Sequence, residues 1–187
     1  RLSLVGSEMC IRDSMWAVFF GIGLIRNLAV LFAYPPAHGS DSFVYFLYVE
    51  RLKGYDIPLI SQSVPPLYPI LLYVSVHVLK SVYWLIGAQF IASAAIAPLF
   101  YQVLKKYNAL FAFGAALIIL GDTQLAVPFN FTATEPLYIT LMTLALVVFL
   151  YATDAPERSR KIIGLAFVVG VLLALLLLTR AVARYFI

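Results

Sequence analysis

Charged side chains are scarce in this chain: they are 12% of its 187 residues, against 63% hydrophobic residues and a mean hydropathy of +0.96. A water-soluble domain carries roughly 25% charged residues, because something polar must cover the core. The shortage excludes soluble Rossmann, barrel and sandwich folds and points to an integral membrane protein. Cysteine is nearly absent. The single Cys10 cannot form an internal disulfide, and His38 and His77 are the only histidines, so no Cys/His cluster has zinc spacing and no structural metal is expected. Internal repeats and low-complexity linkers are also missing. The formal charge of +4 comes from thirteen Lys and Arg scattered between apolar runs. That pattern suits membrane orientation better than a phosphate-tracking face, so no nucleic-acid partner is expected.

What the chain does contain is long apolar stretches. A transmembrane helix needs about 20 mostly apolar residues. Trp16–Tyr34, Leu85–Leu104, Ala109–Val127 and Ile162–Thr179 meet or approach that length, and Pro136–Tyr151 can span with its flanks. The expected fold is therefore all-α: a polytopic transmembrane helix bundle of about five spans, with an external loop carrying amphipathic surface helices. Residues 1–14, RLSLVGSEMCIRDS, resemble translated adaptor read-through rather than a signal peptide, and are set outside the fold. The stop at Ile187, directly after an apolar helix, reads as the edge of a fragment.

The apolar run Leu67–Leu79 is long enough only for a re-entrant or interfacial helix. If it stays on one side, Lys105-Lys106 and Arg158-Arg160-Lys161 share a face, which the positive-inside rule makes cytoplasmic. The loop 35–84 is then external, together with Asp122, Glu135 and Arg180. If the run crosses instead, the end of the first span must be reassigned, and the sequence leaves that open. Asp41, Asp122, Glu135 and Arg180 thus gather at the outer boundary, where ionisable groups usually face a cavity or a partner. Arg26 and Asn27, inside the first span, read as an interhelical polar contact rather than a catalytic pair.

Within the external loop, Pro35-Pro36 ends the first span and Ser40 or Asp41 stands where it can cap a helix that Gly54 would stop. The chain continues through Ser61-Gln62-Ser63 to Val64-Pro65-Pro66-Leu67-Tyr68-Pro69. In order and context this resembles the GT-C superfamily of polytopic glycosyltransferases, in particular the dolichyl-phosphate-mannose protein mannosyltransferase and aminoarabinose transferase-like group. The likeness is carried by a loop aspartate in a D-x-x-x-Y setting (Asp41, Tyr45) and by a surface helix ending at Gly54. A PPLYP element (Pro65–Pro69), a T-E pair (Thr134-Glu135) and an L-T-R near the end of the next span (Leu178–Arg180) complete it. Two positions depart from the pattern: Ser42 replaces the acidic residue after the loop aspartate, and Val64 replaces a lysine before the proline pair. Residues 15–187 would be the N-terminal third or so of such an enzyme.

The resemblance implies transfer of a sugar from a polyprenyl-phosphate carrier to an acceptor on the outer membrane face, with inversion. Such chemistry needs a base for the acceptor hydroxyl, a cation for the departing lipid phosphate and an apolar groove for the isoprenoid. Asp41 would be the general base; spacing alone favours a helix cap, and the resemblance reverses that preference. Arg180 would hold the phosphate, since a guanidinium fork matches phosphate oxygens, with snorkelling beside Arg184 as its ordinary alternative. Glu135 would orient Arg180 or the acceptor, or else simply favour a helix N-terminus. Asp122 would join them or remain solvated. Tyr45 and Tyr68 are candidate sugar-stacking residues, although Tyr45, Tyr48, Tyr55, Tyr68 and Tyr73 read more simply as the aromatic belt. His77 reads as interfacial, and the sequon Asn130-Phe131-Thr132 lies too close to the membrane for weight. The expected partners are membrane lipid and the polyprenyl-phosphate sugar. A prokaryotic plasma membrane with the catalytic side external is the expected location, and the need for a divalent metal is undetermined. A multi-span transporter lined by Arg26, Glu135 and Arg180 is the competing class, although helices broken at mid-membrane and paired repeats are not visible.

Overall fold

The computed structural model describes residues 2–34, 42–54, 65–122, 132–153 and 160–179. Among them every regular element is helical, as composition predicts. The helices are α1 (Leu2–Ala33), α2 (Ser42–Leu52), α3 (Leu67–Tyr73), α4 (Tyr83–Leu104), α5 (Ala109–Gly121), α6 (Glu135–Thr153) and α7 (Arg160–Thr179), with a π-helical turn at Val74–Val78 after α3. Four stretches are long and apolar enough to cross a membrane: Ser14–Ala33, Tyr83–Leu104, Glu135–Thr153 and Ile162–Thr179. The chain is an integral membrane protein.

Two boundaries differ from the sequence reading. The helix of α1 begins at Leu2, so the stretch set outside the fold is continuous in backbone with the first span. The apolar run expected from Ala109 to Val127 is helical only to Gly121; its 13 residues rise about 20 Å, short of the roughly 30 Å hydrocarbon core. Residues 123–127 lie outside the described residues. Asn108 caps α5 by accepting from the Phe111 amide at 2.9 Å, which fixes where that helix starts.

Close approach of small residues sets the first pairing. α1 runs antiparallel to α4: Phe19 meets the Tyr101 ring edge-on at 5.1 Å, Gly23 lies against Ala94, and Asn27 bonds the Phe90 carbonyl. A Cβ on Gly23 would stand 3.0 Å from the Ala94 Cα and 3.1 Å from its carbonyl oxygen. Pro98 has no N–H to donate to that same carbonyl, four residues back in α4. The bare glycine thus packs where α4 lacks one of its own hydrogen bonds, a use of Gly and Pro that membrane helices tolerate when a neighbour covers the gap. α5 runs parallel to α1, with Phe19, Ala97, Ala116 and Leu120 forming their shared core.

α6 and α7 form an antiparallel hairpin closed by Leu141, Ala145 and Leu176, and α6 packs on α4 to join the two halves. At one end of the bundle, Lys106 reaches the Leu150 carbonyl at 3.1 Å and lies over the rings of Tyr107 and Tyr151. The Lys105-Lys106 turn and the C-terminal end of α6 therefore share that end. At the opposite end lie the start of α4, the end of α5 and the start of α6. The run Leu67–Leu79 both begins and finishes there: Tyr68 and Leu72 form one core cluster with Tyr45 and Val49, and Val76 from the later part of the run packs against the same cluster as Val82, Leu85 and Leu137 do. Ser75 and Ser81 then fold the chain back through two hydrogen bonds, with Lys80 in the left-handed region at φ 60°. As a re-entrant or interfacial segment would, the run leaves the bundle's parity unchanged.

Candidate functional site

The expected surface helix is present and has the expected stop. α2 buries Ser42, Tyr45 and Val49 on one face, and Gly54 takes φ +93° just after it, a conformation that costs a residue without Cβ little. Glu50 and Lys53 pair at 2.7 Å on the exposed side. The other end of α2 is fastened to the segment that leads into α6. The Ser42 hydroxyl donates to the Thr132 carbonyl at 2.8 Å and accepts from the Thr132 hydroxyl at 2.8 Å, both residues being buried. One turn further along α2, the Tyr45 hydroxyl pairs with Thr134 Oγ1 at 3.4 Å.

Tyr45 in turn meets Tyr68 edge-to-face, with ring centroids 5.1 Å apart. Tyr68 is 0% exposed and Tyr45 8%, so the aromatic-belt reading is overturned for these two. They are interior residues because α2 lays its apolar face, Tyr45 and Val49, over Tyr68 and Leu72 of α3. Exposed aromatic residues that fit a belt lie elsewhere, at Tyr83, Trp84 and Tyr107. Burial, above all, raises the Tyr68 phenol above its ordinary pKa, with Tyr45 and Glu135 acting in the same direction. At neutral pH it is a neutral donor.

Gln89, seven residues into α4, belongs to no motif in the sequence. It is 5% exposed, and neither its Nε2 nor its Oε1 has a hydrogen-bond partner; the Tyr68 hydroxyl also lacks one. Gln89 lies near enough to act on the Tyr68 hydroxyl as a hydrogen-bonding group, against the effect of burial, but the two side chains stand outside full hydrogen-bond geometry. A buried polar group left in that state costs about 1–3 kcal/mol. The signal that finds Gln89 is the one that marks Arg26: a polar residue inside an otherwise apolar span.

Asp122 is separate from this cluster. It is exposed at the end of α5, and its charge acts on Arg26. Arg26 ties three helices together: Nη1 donates to the Ile119 carbonyl at 2.9 Å, Nη2 to Ser93 Oγ at 2.9 Å, and Nε and Nη2 both to Asn27 Oδ1. Asn27 passes the link on to the Phe90 carbonyl at 2.9 Å. The interhelical reading of Arg26 and Asn27 is what the geometry shows. Of the expected site residues, the structure brings together Tyr45, Tyr68 and Glu135, while the charge of Asp122 acts on Arg26. Asp41 and Arg180 lie outside the described residues; their chain neighbours Ser42 and Thr179 are both buried. No group of three His, Cys, Asp or Glu side chains able to hold a metal occurs among the described residues. Compared with family models, curated proteins and solved structures, the chain matches none.

Proposed function

We propose that the chain is the N-terminal part of a GT-C-like membrane glycosyltransferase that moves a sugar from a polyprenyl-phosphate carrier to an acceptor at the outer membrane face, with inversion. One observation carries the reading. Three elements of the resemblance, far apart in sequence, meet in space: α2, which follows Asp41 and bears Tyr45; the PPLYP tyrosine, Tyr68; and Thr134 with Glu135. A helical bundle has no packing need to collect hydroxyls and a carboxylate at one point, whereas sugar transfer needs polar groups above an apolar, lipid-accessible body.

In this reading Asp41 accepts the acceptor hydroxyl proton, Arg180 neutralises the leaving lipid phosphate, and Glu135 orients one or the other. The exposed apolar side chains of α7, such as Ile163 and Phe167, suit a lipid environment in which an isoprenoid can lie. Sidedness follows from the positive-inside rule applied to the Lys105-Lys106 end, which puts the α2 cluster outside, and a prokaryotic plasma membrane is the membrane proposed. The transporter reading loses one of its three residues, because Arg26 spends its hydrogen bonds on Asn27, Ser93 and Ile119.

The test is transfer of labelled sugar from a polyprenyl-phosphate donor by the purified whole protein, with folding checked alongside. Asp41→Asn preserves shape while removing the proton acceptor, so turnover should fall by about 10²- to 10⁴-fold. Arg180→Ala should weaken donor binding as well as turnover. Near-normal turnover in a folded Asp41→Asn protein would remove the base from Asp41.

A further inference from the structure

Of the four buried polar side-chain atoms without a hydrogen-bond partner among the described residues, three belong to Tyr68 and Gln89, the fourth being His77 Nε2. Tyr68 and Gln89 lie where four elements converge. Tyr68 comes from α3, Gln89 from α4, Tyr45 from α2, and Thr134 with Glu135 from the start of α6. Gln89 offers a donor and an acceptor, and the Tyr68 hydroxyl offers one of each, so the pair matches groups that both give and take a hydrogen bond. Anions are disfavoured, because Glu135 acts on Tyr68 with negative charge and, among the described residues, no Lys or Arg bonds to the pair. Apolar tails are disfavoured because they would leave both groups unpaired. What remains is a neutral hydroxyl, and the Tyr45–Tyr68 ring pair supplies aromatic surface for the carbon skeleton that carries it.

We propose that the Tyr68 hydroxyl and the Gln89 carboxamide form a neutral subsite beneath α2 that takes a hydroxyl of the donor sugar. The proposal rests on the glycosyltransferase reading and extends it to the part of the donor that is recognised. Both groups are covered in the present state, and the cover over Tyr68 is α2, through Tyr45 and Val49. Displacing α2 exposes the tyrosine, and the sugar hydroxyl then supplies the bonds that the closed protein leaves unmade. Gln89 lies about 9 Å along α4 from its first residue, within two turns of that end of the helix.

The test measures binding of polyprenyl-phosphate mannose, polyprenyl-phosphate glucose and sugar-free polyprenyl phosphate to the purified whole protein in lipid nanodiscs. Gln89→Met and Tyr68→Phe keep size while removing the polar atoms. Each should weaken at least one sugar-bearing lipid by about tenfold and leave the sugar-free lipid within about twofold. Gln89→Met should also melt at the same or a higher temperature, since it deletes an unpaired buried amide; this separates lost recognition from lost folding. Wild-type affinity for the sugar-bearing lipids retained by both variants would overturn the subsite, leaving the pair as a structural or water-filled contact. A wild-type protein that binds sugar-bearing and sugar-free lipid equally would overturn the subsite while keeping the carrier reading. Binding of none of the three lipids would remove the glycosyltransferase reading itself.

Discussion

Ser42 and Thr132, 90 positions apart, exchange two hydrogen bonds of 2.8 Å in the protein interior: hydroxyl to carbonyl in one direction, hydroxyl to hydroxyl in the other. The pair closes the N-terminal end of α2 onto the lead into α6. Side-chain oxygens this near are within the range that a disulfide between cysteines at the same positions can bridge. In a Ser42→Cys/Thr132→Cys protein whose Cys10 has been replaced by serine, mild oxidation should form the bond and hold α2 down. Binding of polyprenyl-phosphate sugar should then fall to about a tenth or less and return with reductant. Full binding by the oxidised form would show that α2 does not have to move.

Helix contact at Gly23 predicts opposite effects for two neighbouring glycines. Alanine at Gly23 drives a methyl into the α4 backbone, with contacts of 3.0 Å to the Ala94 Cα and 3.1 Å to its carbonyl oxygen, so α1 and α4 must separate. The expected cost is about 1–3 kcal/mol. A Cβ at Gly21 meets nothing within 4 Å, and Gly21→Ala should be neutral or stabilise by up to about 1 kcal/mol. Denaturant unfolding in detergent, read on both variants, checks the contrast; equal effects would mean that α1 and α4 do not touch there.

Arg26 joins α1 to α4 and α5 through Ser93 and the Ile119 carbonyl. Arg26→Met should lower stability by about 1–3 kcal/mol, as loss of charge-assisted bonds does. Sugar transfer per folded molecule should stay within about twofold of wild type, because the tie is apart from the α2 cluster. Complete loss of activity in a folded Arg26→Met protein would return Arg26 to a substrate path.

Sidedness has its own measurement. The Lys105-Lys106 turn and the carbonyl end of α6 meet at one end of the bundle, the end that the proposed topology, resting on the positive-inside rule, places in the cytoplasm. Impermeant thiol reagents applied to whole cells should modify cysteines introduced at Asp56 or Asn130 and spare those at Lys106 or Ser159. The reverse pattern would invert the topology.

Much of the architecture is legible in the amino-acid sequence. Apolar length marks the spans, Gly54 marks the end of α2, and the shortness of the run Leu67–Leu79, with Ser75 and His77 near its end, predicts a segment that does not cross. These are local properties, set by hydrophobic length and backbone freedom, and local sequence carries them. Even the tie at Arg26-Asn27 can be anticipated, because a polar pair within a span must find partners on other helices. The α2 cluster is a different matter. Tyr45 and Tyr68 carry the same signature as belt tyrosines, since an aromatic ring near the interface looks alike in sequence whether lipid or another helix covers it. Gln89 has neither a charge nor a motif, and only its polarity within an apolar span marks it. Whether a tyrosine is inside or outside depends on which face of α2 lies on α3. That choice is made by the Ser42–Thr132 and Tyr45–Thr134 contacts, which join residues some 90 positions apart. Composition and apolar length are enough to specify a bundle of membrane helices with a polar end. Which residues meet at that end is a property of the folded chain alone, because the bonds that gather them are long-range and leave no periodic trace along the sequence.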